Sequence, residues 1–322
     1  MSKIKAKTII INVLLILFGL AVALLLMEGY LRWRQPDPFV KTAVELSWTR
    51  DNPGYNIFTV DPEFGFRPIF GNGLYNEYGT KANNYSIEKP PGVTRLLFIG
   101  DSVTHRAKIV DALKDIYGEA DFEYWNAGVE SYNTVQEVNY YKRYNAAIKP
   151  DHVILTFHLN DFETTPIAFE NEGDGLIVYA PNKPMRDLNP WLFKYSSLYR
   201  FLIRLTDDTG DDRAGIVAEA EDSLLELRDL LAVDDIDFTV LVLPVFIPYE
   251  QWQPYEKEGR DNILRILDAA NIRYFDLYPI SEQAIKDGVN VQEAGGHWHP
   301  SEDVSKLFAK YLFAQGLLES SE

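Results

Sequence analysis

Four short stretches hold the side chains best suited to chemistry. Gly100-Asp101-Ser102 follows the apolar run at residues 96–99. Asn126-Ala127-Gly128 closes a second run that begins at Phe122, and His158-Leu159-Asn160-Asp161 follows a third at residues 152–157. Gly295-Gly296-His297-Trp298-His299-Pro300 holds two of the five histidines of the chain. A serine hydroxyl becomes a useful nucleophile when a base takes its proton. The oxyanion formed by its attack on a carbonyl needs donors already in place, such as a backbone N–H beside a glycine or a side-chain amide. Each stretch alone also has a plainer reading: a turn serine near a helix start, a turn glycine, an asparagine closing a loop, a loop histidine.

The elements around them give the pattern its weight. Residues 96–99 and 152–157 are short, nearly all apolar runs that read as buried strands, and residues 122–126, 238–243 and 273–276 read as three further strands. Between them, residues 107–117, 134–147, 214–231 and 260–270 have helical spacing, and residues 302–317 read as a closing helix. Pro150 and Pro244 mark element ends. Strands alternating with helices predict an α/β protein, a parallel sheet with helices on both faces. In such sheets ligands bind beyond the carboxyl ends of the strands, where the first three stretches fall.

Taken together and in this order, the four stretches resemble the SGNH, or GDSL, family of serine ester hydrolases. The resemblance runs roughly over residues 61–317 and is most specific at 95–104, 126–128 and 150–161. It implies a three-layer α/β/α, flavodoxin-like sheet. It also implies that Ser102 is the nucleophile, that the N–H groups of Ser102 and Gly128 and the Asn160 side chain form an oxyanion hole, and that a C-terminal histidine is the general base. One template of the family, a His followed by a variable residue, Asn and Pro, selects His297, with His299 in the place of the Asn. A second, with the His directly before Pro, selects His299. The Trp298 spacing favours His297. The family's acid, two or three residues before the His, is absent; Glu293 is the nearest carboxylate and the expected stand-in. Arg106 stands where relatives often have Gly, so His105 and Arg106 are candidates for binding an anionic substrate group, with a solvated helix start as the alternative. Exported relatives move acyl groups on or off extracellular polysaccharide. The implied function is a serine esterase or O-acyltransferase acting on an acylated carbohydrate. A catalytically silent binding module of an envelope assembly is the alternative.

The rest of the chain bounds where this happens. Residues 9–27 are almost wholly apolar and as a helix would span roughly 28 Å, near the thickness of a bilayer's hydrocarbon. Lys3, Lys5 and Lys7 precede them, and Arg32 and Arg34 follow. The expectation is a single-pass anchor with its N-terminus inside and the catalytic domain outside. A cleaved signal peptide is the alternative, opposed by the apolar residues that continue past Ala23. The expected domains are an anchor at residues 1–34, a linker and irregular flap at 35–93, and the hydrolase-like domain at 94–318 with an irregular insertion at 161–213. Tyr179, Trp191, Tyr195 and Tyr199 of that insertion are expected in a core, and Asp207, Asp208, Asp211 and Asp212 on a solvated face. A net charge of −17 argues against nucleic acid as a partner. The chain has no cysteine and no Gly-rich Lys-Ser/Thr loop for phosphate. His297 and His299 lack a third ligand at motif spacing. No metal or cofactor is expected; the expected partners are the acyl ester substrate and the membrane.

Overall fold

The computed structural model describes residues 3–34, 39–42, 57–170, 175–182, 188–207, 212–294 and 296–319. In chain order the elements are α1 (Lys3–Arg34), β1 (Val40–Thr42), β2 (Phe58–Asp61), β3 (Gly65–Pro68), β4 (Thr94–Gly100), α2 (Ser102–His105), α3 (Lys108–Tyr117), β5 (Phe122–Asn126), α4 (Thr134–Arg143) and β6 (His152–Phe157). They continue with β7 (Ile167–Glu170), β8 (Gly175–Tyr179), α5 (Pro190–Tyr195), α6 (Ser197–Asp207), α7 (Arg213–Val233), β9 (Asp237–Val242), α8 (Pro254–Ala269), β10 (Arg273–Asp276), α9 (Tyr278–Lys286) and α10 (Glu302–Ala314). The chain divides into two compact units. One gathers Met1–Asn56, Val60–Phe66 and Pro166–Asp211; the other gathers Ile57–Thr59, Arg67–Thr165 and Asp212–Glu322.

The larger unit is built on five parallel strands in the order β10-β9-β6-β4-β5. Counted along the chain this is the order 2-1-3-4-5 of a flavodoxin-like sheet. Its inner strands β4 and β6 are buried on both faces, which is why they read as nearly continuous apolar runs. Side chains alternate between two cores. Leu97, Ile99, Val153, Leu155 and Val240 meet α4, α7 and α8 on one face. Leu96, Phe98, Ile154 and Leu241 meet α3, α9 and α10 on the other. The sheet with a helical layer on each face is the three-layer α/β/α arrangement expected.

Differences from expectation lie at element ends. The helix predicted from residue 260 starts six residues earlier, at Pro254. Its first turns are polar and carry no apolar period; a proline in the first turn and a reciprocal Gln253–Glu256 cap start it instead. The helix predicted over 134–147 stops at Arg143 and gives way to a 3₁₀ turn at Asn145–Ile148. α9 was not anticipated.

The smaller unit holds α1 and an antiparallel sheet in the order β1-β8-β7. The insertion expected to be irregular is therefore partly regular. Phe39, Phe169, Ile177, Tyr179 and Phe193 form its core, with the Phe39 and Tyr179 rings edge to face at 5.0 Å. Tyr179 and Tyr199 join that core as expected, whereas Trp191 and Tyr195 are exposed. α1 contains a stretch at Lys7–Arg34 long and apolar enough to cross a membrane. Of the acidic run, Asp208 and Asp211 lie outside the described residues; Asp212 caps α7, accepting from the Gly215 N–H at 3.0 Å.

Candidate active site

The site is assembled at the carboxyl ends of β4, β5 and β6. β4 ends at Gly100, whose φ is +152°. A Cβ there would sit 2.2 Å from Thr104 Oγ1 and 2.4 Å from Thr156 Oγ1, so only glycine lets the chain turn against β6. Asp101 follows as the cap of the one-turn helix α2, its Oδ1 accepting the Val103 N–H at 2.8 Å. This turn presents Ser102 half-exposed at the strand end.

Ser102 Oγ lies 2.9 Å from Nε2 of His299, a residue 197 positions later in the chain. His299, and not His297, is the histidine brought to the serine. The reason is the loop between α9 and α10. Its ends are zipped, Gln292 bridging to Pro300 and the Ser301 N–H donating to the Val291 carbonyl at 3.0 Å. Inside it the His297 carbonyl accepts the Phe246 N–H at 3.0 Å, and Trp298 meets the His158 ring edge to face at 5.2 Å. Trp298 is thus seated inward, which leaves the next residue, His299, to reach Ser102. Burial, and then the Arg106 charge, hold the His299 pKa below the ordinary histidine value, so its neutral, proton-accepting form dominates at neutral pH.

Glu293 is committed to two cations. Its two oxygens pair with Arg106 at 2.5 Å and Lys108 at 2.9 Å, and its backbone N–H donates to the His299 carbonyl. The Lys108 and Arg106 hydrogen bonds lower its pKa from the ordinary glutamate value. Arg106 stands exposed at the mouth of the site, while His105 turns inward. His105 Nδ1 lies 2.8 Å from the Tyr75 hydroxyl, which also donates to the Gly128 carbonyl at 3.1 Å. Lys81 Nζ donates to the His105 carbonyl at 2.8 Å. His105 is therefore a prop for the Gly128 segment rather than a group open to a ligand.

Gly128 is needed for close packing. A Cβ on it would fall 2.3 Å from the His105 amide nitrogen. Its own N–H donates to Asn126 Oδ1 at 2.9 Å, and Asn126 Nδ2 donates to the Thr104 carbonyl at 2.7 Å, tying this loop to the Ser102 turn. Asn160 Nδ2 donates to Asp101 Oδ2 at 3.0 Å, the oxygen that also lies 3.3 Å from Ser102 Oγ. Asn160 Oδ1 meets His158 Nδ1 at 2.7 Å. An amide oxygen only accepts, so His158 carries its proton on Nδ1 and fixes which way the amide points. Burial lowers the His158 pKa, consistent with a neutral ring.

Beneath this layer lies a cluster that sequence reasoning missed. Asp161 is fully buried; its Oδ2 accepts the His158 N–H at 2.7 Å and its Oδ1 has no hydrogen-bond partner. Neither carboxyl oxygen of Glu137, on the buried face of α4, has one either. Burial, reinforced by the carboxylates around them, raises the pKa of both acids well above the ordinary carboxylate value. A sequence signal existed for Glu137. It stands in phase with Thr134 and Tyr141 on one helix face, where a carboxylate is out of place. None existed for Tyr75, which lies 30 residues from His105 in an unpatterned segment.

No protein-family model matches the chain, and no curated protein matches it. Among solved structures it is similar to LAE5, an alpha/beta hydrolase enzyme from the metagenome of Lake Arreo, Spain, at 17% identity and a TM-score of 0.47, over 70% of this chain and 97% of that one. It is similar to Axe2, an acetylxylan esterase from Geobacillus stearothermophilus, at 17% identity and a TM-score of 0.47, over 70% and 97%. The acetyl xylan esterase AlAXEase matches at 14% identity and a TM-score of 0.45, over 69% and 99%.

Proposed function

We propose that the chain is a membrane-anchored serine ester hydrolase or O-acyltransferase of the SGNH type, acting on an acylated carbohydrate. The observation that carries this reading is the 2.9 Å approach of Ser102 Oγ to His299 Nε2 at the carboxyl end of a parallel sheet. In the proposed reaction His299 Nε2 takes the Ser102 proton as Oγ attacks the ester carbonyl. The tetrahedral oxyanion is received by the N–H groups of Ser102 and Gly128 and by the Asn160 amide. Gly128 N–H exchanges its Asn126 partner for that oxygen, and Asn160 has a second amide hydrogen beyond the one given to Asp101. The C–O bond of the ester then breaks, and the leaving alkoxide takes the proton from His299. Water completes hydrolysis of the acyl-serine, or a sugar hydroxyl completes transfer, with His299 again accepting the proton. Export and the family resemblance support a polysaccharide substrate.

A second reading keeps the fold as a silent binding module. It is favoured by the commitment of Glu293 to Arg106 and Lys108, which leaves the His299 imidazolium without that carboxylate. Labelling with a fluorophosphonate separates the two readings. Covalent reaction at Ser102, lost in Ser102→Ala and in His299→Ala but kept in His297→Ala, is the enzyme's result. An unlabelled parent chain overturns it.

A further inference from the structure

The smaller unit carries an apolar surface that the proposed chemistry does not use. On α6, Leu198, Phe201, Leu202 and Leu205 recur at i, i+3, i+4 and i+7, which places them on one face. The helix already has its core contacts elsewhere: Tyr199 and Ile203 pack on the Phe39–Phe193 cluster. Arg200 is buried there too, donating to the Phe193 and Lys194 carbonyls. The second face stays open, with Leu202 50% and Leu205 53% exposed. Beside it on α5, Trp191 is 66% exposed and stands 5.5 Å from the exposed Tyr195 ring.

The depth of this surface is set by α1. Glu28 is the first charged residue after the apolar run and it caps the start of α6. It accepts from Ser196 Oγ at 2.8 Å and from the N–H groups of Ser197 at 2.9 Å and Leu198 at 2.8 Å. One turn on, Arg32 pairs with Glu28 and donates to the Tyr195 carbonyl at 2.5 Å. The junction of α5 and α6 is therefore bolted to the turn of α1 where the apolar run ends. That run covers roughly 28 Å as a helix, against about 30 Å of hydrocarbon in a bilayer. Glu28 falls at the edge of the hydrocarbon, and the junction falls in the head-group layer with it. Its chemistry suits that layer. Tyr30 and Trp33 on α1 and Trp191 and Tyr195 on α5 are exposed rings of the kind that settle at head-group level. Lys194 adds a cation that complements lipid phosphate.

We infer that α5 and the open face of α6 lie in the interfacial layer of the bilayer that α1 spans, with phospholipid as the occupant of that face. The inference rests on reading α1 as an anchor. Polarity-sensitive labels on single cysteines test both, since the chain has no cysteine of its own. The full chain would be reconstituted into vesicles of phosphatidylcholine and phosphatidylglycerol. Trp191→Cys and Leu202→Cys report on the proposed surface, and Leu15→Cys reports on the anchor. The expected result is blue-shifted emission at 191 and 202, quenched by head-group spin labels and insensitive to aqueous iodide. At 15, the expected quencher is a spin label near the acyl-chain end. Iodide quenching at 191 and 202, with 15 still deep, overturns the inference and leaves the anchor standing. Shielding of 191 and 202 from iodide and lipid alike means that protein covers the face, which also overturns it. A water-exposed label at 15 removes the anchor, and the inference with it.

Discussion

The two ends of the central sheet both bury ionisable groups, and they treat them in opposite ways. At the amino ends of β4 and β5, Arg95 is 1% exposed yet every arm of it is engaged. Its Nε pairs with Glu123 at 2.6 Å, and its other nitrogens donate to the carbonyls of Ser86, Ile87 and Ile148. Trp125 Nε1 donates to the same Glu123 oxygen at 2.9 Å. At the carboxyl ends, Glu137 and Asp161 are buried with three carboxyl oxygens lacking partners, beneath a chain of bonds from His158 through Asn160 to Asp101 and Ser102. A fully paired cluster fixes structure. An under-paired one costs stability, and a fold retains that cost where side chains are arranged for chemistry.

The comparison breaks most visibly at the carboxyl end. Ser102→Ala and His299→Ala are each expected to lower kcat for p-nitrophenyl acetate by about 10⁶-fold, as when a serine hydrolase loses its nucleophile or base. His297→Ala should leave kcat within a few-fold, because His297 holds the loop through its backbone carbonyl. Equal losses in both histidine variants would erase the distinction. The paired end answers in stability instead. Arg95→Met strands Glu123 and is expected to cost about 3–5 kcal/mol by denaturant unfolding, with kcat of the folded fraction unchanged. Asn160→Ala is expected to lower kcat by about 10²–10³-fold and, by stranding the His158 Nδ1–H, to cost about 1–3 kcal/mol, less than Arg95→Met.

Two smaller effects sharpen the contrast. Glu137 has a raised pKa in the folded chain, so the native state holds a proton that the unfolded state releases. That linkage makes stability fall as pH rises above the ordinary carboxylate range. Glu137→Gln should remove this contribution, stabilising the protein at pH 7 but not at pH 4, a difference that grows by up to about 1.4 kcal/mol per pH unit. Unfolding curves at the two pH values check it. His299 is lowered, so its base form persists into mild acid, and the acid limb of kcat/KM should lie below about 6.5. Arg106→Gln removes a charge that lowers it and should move the limb upward.

Much of this was legible from sequence because the relevant signals are local. The runs ending at Ile99 and Phe157 are nearly all apolar for the reason that β4 and β6 are covered on both faces, and glycines 100 and 128 mark turns where a Cβ has no room. The choice between His297 and His299 was not legible. It depends on Trp298 packing against His158 and on a backbone bond to Phe246, contacts between segments far apart in sequence. The start of α8 was hidden for a different reason, since capping and proline chemistry set it where hydrophobic period is absent.

The separation of 197 residues between Ser102 and His299 has a consequence for the order of events in synthesis. Ser102 and its glycine turn leave the ribosome in the first third of the chain. Their partner leaves near the end, on a loop zipped shut by Pro300 and Ser301 just before α10. A growing chain can fold β4, β5 and β6 and still carry an inert serine. On the proposed reading, reactivity switches on only once the final helix has been made and has drawn that loop into place.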